Sequence, residues 1–572
     1  MHHYLLKEIP EKERTIVSIS LGFITWMAIF FFLTTVHCLN STVIFTILII
    51  LSVPGLMHFK YPVFPKNLKT YQGITPFICL LLLLFSRALD PMPGWDSLVY
   101  HLTLPKLMLS SGGFVYPTLD LYAYFPLNFN LLYIFPILVG LPALASLFHF
   151  LMGLLILLLF IQRENSQKGF IALIFLLSCP GFYQNFVVAY VDLALTFFFL
   201  FAHHCLENYR LTGKKDWLFL GIIVAGIIPG IKHTGFIVIF TLATVHLFMK
   251  FLKEKKMAIK ETVLIAIIPF FIASPWYIKN FIKTGNPVYP ALYNVFGGKG
   301  WNQDLASNWK KMLNSHGIGH DLKSVLTVPF HLWASSLFSY NPFDGQFSFI
   351  WLFLFPIIFW YMFKKRWRKA EVVSCFIFLI SWVNFVQLFR YLLPILPLLA
   401  YLGAHCCFIL FRKKIWWKKF VVYCSVICLG IPIIDNILLL EELYQKISYR
   451  SHITQIIESP IHPVYHFINN NLKKKDTILF LNENFTFFSD IPTVSDSIFE
   501  SSSINYYLSR CKNNGETLNK LKNWGITHIL FSTKNQKITF HKNIKWILNN
   551  KSRLIYKSKE QMPLYFLMEI RY

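Results

Sequence analysis

The sequence predicts a polytopic α-helical membrane protein of about thirteen spans, closed by a small α/β unit on one face. Three observations carry that expectation. Long apolar runs recur through residues 1–440, basic residues gather in the short links between them, and the composition turns polar after Leu440. Of 572 residues, 55% are hydrophobic, 17% aromatic and only 14% charged. Soluble domains carry about a quarter charged residues, so a merely apolar soluble enzyme is excluded.

An apolar helix of about 20 residues crosses the roughly 30 Å hydrocarbon layer. Spans are therefore expected near residues 16–38, 43–59, 74–88, 142–162, 168–187, 190–207, 216–230, 234–250, 262–281, 347–364, 371–388, 391–411 and 419–440. The first lacks a small-residue cleavage site and reads as a retained span, not a removed signal peptide. Residues 124–141 are apolar but interrupted by Pro126 and Pro136, with Pro142 following. They are expected to re-enter the membrane or lie along its surface.

The net charge of +26 is concentrated between spans: Lys60, Lys66 and Lys69; Lys214 and Lys215; Lys253, Lys255, Lys256 and Lys260; Lys364, Lys365, Arg366, Arg368 and Lys369; Arg412, Lys413, Lys414, Lys418 and Lys419. Lysine and arginine stay in the cytoplasm during insertion. With a cytoplasmic N-terminus, every one of these links falls inside, and an odd number of crossings puts the C-terminus outside. The same placement accounts for the charge without nucleic acid as a partner.

Two long loops then stand outside, 89–127 and 283–346, and loops of this length are characteristically functional or disordered. Each holds an amphipathic stretch, "YHLTLPKLMLSS" and "SVLTVPFHLWASSLF", suited to the membrane interface. Residues 1–440 are thus read as the membrane domain. Residues 441–572 are read as an outer α/β domain, with strands in "DTILFLN", "ITHILFS" and "LYFLMEI" and a glycine-closed helix in "GETLNKLKNWG". No Gly-rich phosphate loop or nucleophile motif marks that domain, so its expected role is support or recognition. Nine of the ten cysteines lie in or beside apolar runs, without zinc or disulfide spacing.

Ionisable residues at membrane level are costly and invite a functional reading. Four places put charge at the outer level: Asp96 in "PGWDSLVYH", Asp192 in "NFVVAYVDLALTFFF", Lys232 and His233 in "PGIKHTG", and Arg390 with Tyr391 in "QLFRYLLP". Tyr100 and His101 follow Asp96. The bland alternatives are a helix cap for Asp192, a snorkelling anchor for Arg390, a polar turn for Lys232 and His233, and an exposed loop carboxylate for Asp96. Asp90, before Pro91, reads as a turn residue, and His101 as a hydrogen-bonding histidine rather than a metal ligand. Carboxylates can act as bases on an acceptor hydroxyl, and cations can stabilise a departing phosphate. The pattern suits a lipid-linked sugar phosphate.

Three stretches resemble GT-C-fold, polyprenyl-phosphate-dependent glycosyltransferases, the superfamily of protein O-mannosyltransferases and lipid A aminoarabinose transferases. They are "WDSLVYHLTLPKLMLSSGGFVYP" in the first outer loop, "SPWYIKNFIKTGNPVYPALYNVFGG" at 274–298, and "FRYLLPILPLLA" at 389–400. The resemblance implies transfer from a polyprenyl-phosphate or dolichyl-phosphate sugar to a lipid, glycan or protein acceptor. The active side would be the periplasmic face of a bacterial inner membrane. It implies Asp96 as catalytic base or as the residue placing the acceptor, Tyr100 shaping the loop and Asp192 as a second acid; the charge pattern adds His101, Lys232, His233, Arg390 and Tyr391 as expected substrate-binding residues. Two departures stand out: Lys279 replaces the usual arginine, and Ser97 replaces the second acid of the mannosyltransferase Asp-Glu pair. No cofactor is required by this pattern. Two acids are compatible with a divalent ion, but the ligand set is too thin to assert one. The rival classes are a multi-spanning transporter or lipid flippase and a polysaccharide polymerase or ligase.

Overall fold

The computed structural model describes residues 9–57, 74–89, 94–163, 167–255, 257–336, 340–362, 369–411, 416–448, 463–481, 483–495, 502–533, 542–558 and 564–572. Asp90 and most of the basic links at 60–69, 364–368 and 412–414 lie outside these residues.

Each expected span overlaps a helix, although the one over 168–187 is broken. Glu11–Thr35, Ser41–Met57 and Ile74–Ala88 precede the first loop. After it come Ala145–Arg163, Gln167–Leu177, Asp192–Thr212, Lys215–Ile231, Gly235–Glu254 and Ile259–Thr284. Trp351–Met362, Lys369–Asn384, Leu396–Phe411 and Trp417–Ser448 follow the second loop. Among the described residues, six helices are long and apolar enough to cross a membrane, or seven if a bent pair counts as one span.

That bent pair corrects the expectation of one continuous span over 168–187. The helix from Gln167 stops at Leu177, and Pro180–Val187 leaves at 86°. Pro180 starts the new direction because its ring fixes φ and supplies no N–H to continue the ladder. The segment 124–141 holds two short helices, Asn130–Tyr133 and Ile134–Leu138, with Leu127, Phe129 and Leu131 buried. Phe129 and Phe135 pack against Phe23, Trp26 and Phe30 of the first helix.

At the C-terminal end a five-stranded sheet runs in the order β2-β1-β3-β5-β4. The strands are β1 Ile478–Leu481, β2 Thr493–Val494, β3 His528–Ser532, β4 Ser552–Lys557 and β5 Tyr565–Ile570. β1 is parallel to β2 and β3, while β5 is antiparallel to β3 and β4. The three expected strands are β1, β3 and β5, and the expected helix is Asn514–Asn523, with Gly525 at φ 71°. β2 and β4 were not expected: the first is two residues long, and the second carries polar residues on a largely exposed strand.

The sheet unit sits on both long loops. Leu98 belongs to its apolar core, and Leu121, Tyr289, Trp301 and Leu305 form a cluster against Tyr506 and Tyr507. Arg510 and Tyr506 meet Asp304 at 2.9 and 3.3 Å. The stretch "YHLTLPKLMLSS" forms the helix Thr103–Ser111, with Thr103, Leu104, Pro105 and Met108 buried within the protein. The other amphipathic stretch forms Leu322–Ala334 and leaves Leu322, Leu326 and Phe330 exposed along one side.

Candidate functional site

The first loop enters the site through a tight turn. Gly94 has φ 105°, and a Cβ there would stand 3.1 Å from Val188 Cγ1 and 3.2 Å from the Tyr190 hydroxyl. Glycine alone accepts both the backbone angle and the approach. Ser97–His101 then forms a π turn, closed by the Leu102 N–H on the Ser97 carbonyl at 2.9 Å. This turn carries Asp96 at its start, with Tyr100 and His101 inside it.

Asp192 is the first residue of its helix and makes no side-chain cap. The preceding segment is held from outside. His149 contacts the Val188 carbonyl through Nδ1 at 2.9 Å and accepts the Leu193 N–H on Nε2 at 2.8 Å. Donor on one nitrogen and acceptor on the other define a neutral imidazole. The Tyr133 hydroxyl donates to the Tyr190 carbonyl. The Asp192 carboxylate is therefore free for another partner.

Lys232 supplies it. The helix Lys215–Ile231 ends at Lys232, whose backbone is extended (φ −157°, ψ 147°). Its Nζ donates to Asp192 Oδ1 at 2.7 Å and lies 4.1 Å from the centre of the Tyr391 ring. Arg390, next to Tyr391, donates to Asp96 Oδ2. Its guanidinium is 5.6 Å from the ring centres of both Tyr190 and Tyr391. The Tyr100 hydroxyl donates to the same Asp96 oxygen at 3.5 Å, and its ring stacks on Tyr122 at 3.9 Å.

The four charged residues thus form two ion pairs joined through Tyr391. Their side-chain exposure differs in a useful way: 26% for Arg390 and 16% for Lys232, against 8% for Asp96 and 4% for Asp192. In each pair the cation is therefore the less buried member. Among the described residues Arg390 Nε and Asp192 Oδ2 have no hydrogen-bond partner, so each pair keeps spare bonding capacity.

The two histidines behave differently. His101 is buried, accepts a hydrogen bond from Asn130 Nδ2 on Nδ1 at 2.6 Å, and lies tilted against the Tyr100 ring at 4.0 Å. Burial, outweighing the pull of Asp192, holds its pKa well below the ordinary histidine value. His233 stands apart from the ion pairs, between Phe125 and Tyr277. Burial and then nearby Lys279 push it down to about 4.

The stretch 274–298 acts as a bracket for this arrangement. Trp276 Nε1 donates to Asn128 Oδ1 at 2.6 Å, Asn280 Nδ2 donates to the Tyr124 carbonyl at 2.5 Å, and the Tyr277 hydroxyl donates to the Pro229 carbonyl at 2.8 Å. Lys279 Nζ donates to the Ala123 carbonyl at 3.0 Å among the rings of Phe114, Tyr116 and Trp276. Asn128 in turn donates its N–H to the Gly230 carbonyl at 2.8 Å. A Cβ on Gly230 would lie 2.1 Å from the Asn128 side chain, so glycine is needed for this approach. The bracket ties the first loop to the helix end that presents Lys232.

The comparisons agree with this architecture. The structure of ArnT from Cupriavidus metallidurans bound to undecaprenyl phosphate superposes with a TM-score of 0.55 at 12% identity, covering 86% of this chain and 97% of that one. Its apo form gives 0.53 at 13%, with the same coverage. The fold is GT-C. The archaeal oligosaccharyltransferase AglB from Archaeoglobus fulgidus, in complex with an inhibitory peptide and a dolichol-phosphate, gives 0.50 at 12% and covers 88% of this chain and 74% of that one. At these identities the likeness is one of fold. A family profile described as a domain of unknown function, DUF8201, matches residues 126–397. No protein of curated function matches the sequence.

Several residues of the site were missed in the sequence. Tyr190, Tyr122, Asn130 and His149 all touch or hold the expected residues. His149 carried a usable signal, a histidine inside an otherwise apolar span. Tyr122 and Tyr190 carried none, since aromatic residues are abundant throughout. Among the described residues no three His, Cys, Asp or Glu side chains gather as metal ligands. Asp96 and Asp192 are each held by a cation of the protein, and that donor set does not fit a divalent ion.

Proposed function

We propose that the chain is an integral-membrane glycosyltransferase. It moves a sugar from a polyprenyl-phosphate carrier to a lipid, glycan or protein acceptor, in a single inverting displacement. The observation that carries this reading is the double ion pair: two buried carboxylates, each covered by a more exposed cation, on a GT-C scaffold.

In this reading the acceptor hydroxyl attacks the anomeric carbon as the bond from that carbon to the phosphate oxygen breaks. Asp96 takes the hydroxyl proton, and the phosphate leaves on its lipid with the bonding electrons. Lys232 and Arg390, the less buried members of the two pairs, meet that developing charge, the electrostatic stabilisation that contributes most where water is excluded. Binding of the phosphate draws Arg390 from Asp96 and frees the carboxylate at the moment it is needed. Tyr100 and His101 orient the π turn, Asp192 holds Lys232 in place, Tyr391 lies between the two cations, and His233 supports the turn after Lys232.

The helices are read as thirteen crossings, the bent pair Gln167–Leu177 and Pro180–Val187 counting as one, with the N-terminus in the cytoplasm. Residues 441–572 then form a periplasmic domain of a bacterial inner-membrane protein, on the side of both long loops. The bracket at 274–298 and the three stretches named above support this arrangement.

The test is transfer by purified protein in lipid nanodiscs, given radiolabelled undecaprenyl-phosphate sugars and membrane extract as acceptor. Release of undecaprenyl phosphate is expected, with loss of release in Asp96→Asn. Recovery of the intact donor under all conditions, with movement of the lipid across the bilayer, would favour a flippase instead. The 86° break after Leu177 is a feature such a transporter would share.

A further inference from the structure

The C-terminal unit does more than stand beside the first loop. Lys106, on the helix that follows the π turn, reaches into it. Its Nζ donates to the Phe487 carbonyl at 2.8 Å, the Ser489 carbonyl at 3.1 Å and Asp490 Oδ1 at 2.7 Å, using all three ammonium protons. It also lies 5.4 Å from the centre of the Phe487 ring. Leu98, two residues after Asp96, is 2% exposed and sits in the apolar core formed by Tyr465, Ile468, Phe480, Phe488 and Leu530.

The surface that receives these residues is itself held firmly. Buried Glu483 accepts the N–H groups of Asn484 and Phe485 on Oε1, both at 2.9 Å, and the Tyr565 hydroxyl on Oε2 at 2.5 Å. Asn469 donates to the Phe488 carbonyl at 3.0 Å and accepts the Asp490 N–H at 2.9 Å. Phe485 and Phe487 pack against both the membrane core and the core of the sheet unit. Loop 483–490 is thus pinned to β1, β5 and the helix Pro463–Asn471, and it grips the first loop at Leu98 within the π turn and at Lys106 after it. Within the turn, Thr103 Oγ1 donates to the Leu98 carbonyl at 2.7 Å and transmits the constraint.

We propose that the C-terminal α/β unit sets the position of Asp96, with Lys106 and Leu98 as positioning residues. This rests on the reading of Asp96 as the base in glycosyl transfer. A π turn closes with wider, less regular hydrogen bonding than an α-helix, so its geometry depends on what packs against it. Leu98 and Lys106 provide that packing from a rigid element, as precise sites require. The sheet unit is a part of the active site's frame rather than a separate recognition module.

The experiment compares wild type, Lys106→Met, Lys106→Arg, Leu98→Ala and Asp490→Asn in nanodiscs, by backbone hydrogen exchange and by transfer. Exchange across residues 97–103 should rise about tenfold in Lys106→Met and Leu98→Ala, while the helix Asp192–Thr212 stays unchanged. Lys106→Arg should restore most of the protection, and Asp490→Asn should lose part of it without threatening the fold. In transfer assays kcat should fall about tenfold in Lys106→Met with donor KM within about twofold. Unchanged exchange across 97–103 in both Lys106→Met and Leu98→Ala would overturn the proposal, as would looser exchange with undiminished kcat. If wild type transfers no sugar, the glycosyl-transfer reading fails, and the exchange measurement still decides whether the unit positions the turn.

Discussion

Lys232 stands 2.7 Å from Asp192, and among the described residues no other cation shares that carboxylate's hydrogen bonds. The pair joins the end of one membrane helix to the start of another, with Asp192 almost fully buried. Removing one partner of a buried ion pair leaves an uncompensated charge and costs about 3 kcal/mol or more. Lys232→Met is therefore expected to lower stability by about that amount, and adding Asp192→Asn should recover much of it. Thermal unfolding of both variants in detergent checks this.

Asp96 pairs with Arg390, yet its proposed chemical role differs from a structural one. Asp96→Asn keeps the size and the hydrogen-bonding oxygen. Its expected effect is a loss of transfer of about a hundredfold or more per folded molecule, beyond the drop in melting temperature that follows when Arg390 loses its counter-charge. Arg390→Lys keeps a charge but loses the planar fork, and should raise the donor KM. Steady-state kinetics on both variants separate these outcomes.

Burial keeps His101 and His233 neutral, His233 down to about 4. The unfolded chain takes up protons on both below pH 6.5, where the folded chain does not. Stability is then full above pH 6.5 and falls as the pH drops from there towards about 4. His233→Gln should flatten part of that decline. Melting temperatures of wild type and variant across this window test the sign.

Gly94 combines φ 105° with a close approach to Val188 and Tyr190. Gly94→Ala should cost about 1–2 kcal/mol in strain and displace the turn carrying Asp96. The expected signature is a larger loss of transfer than of thermal stability, measured side by side.

The proposed topology puts both long loops and the C-terminal unit outside. Single cysteines at Lys299 and Lys512, in a background without native cysteines, should react with a membrane-impermeant maleimide added to intact cells. A cysteine at Lys255 should react only after lysis. Labelling of Lys255 from outside would overturn the orientation.

Much of the fold was legible in the residues. Apolar runs such as Gly235–Glu254 and Ile259–Thr284 declared their helices, because length and hydropathy are local properties. The continuous span over 168–187 was not right, although Pro180 was in view. An apolar run registers the same whether the backbone passes straight through or turns by 86°. In the site, Asp96, Asp192, Lys232 and Arg390 stood out as charges next to greasy segments. Tyr122 and Tyr190 did not, since nothing local separates a site aromatic from a packing one.

The sequence by itself determined a many-helix membrane protein, three strands of its terminal sheet and the four charged residues that meet in the two ion pairs. Tertiary structure alone decided who pairs with whom. Arg390 reaches Asp96 across 294 positions of chain, and Lys232 reaches Asp192 across 40. It also decided that Lys106 is gripped by residues more than 380 positions away. A charge withdrawn from water must find its opposite wherever packing brings one near. Which helix ends come together depends on the shape of the whole bundle, and a pattern read over one or two dozen residues does not contain it.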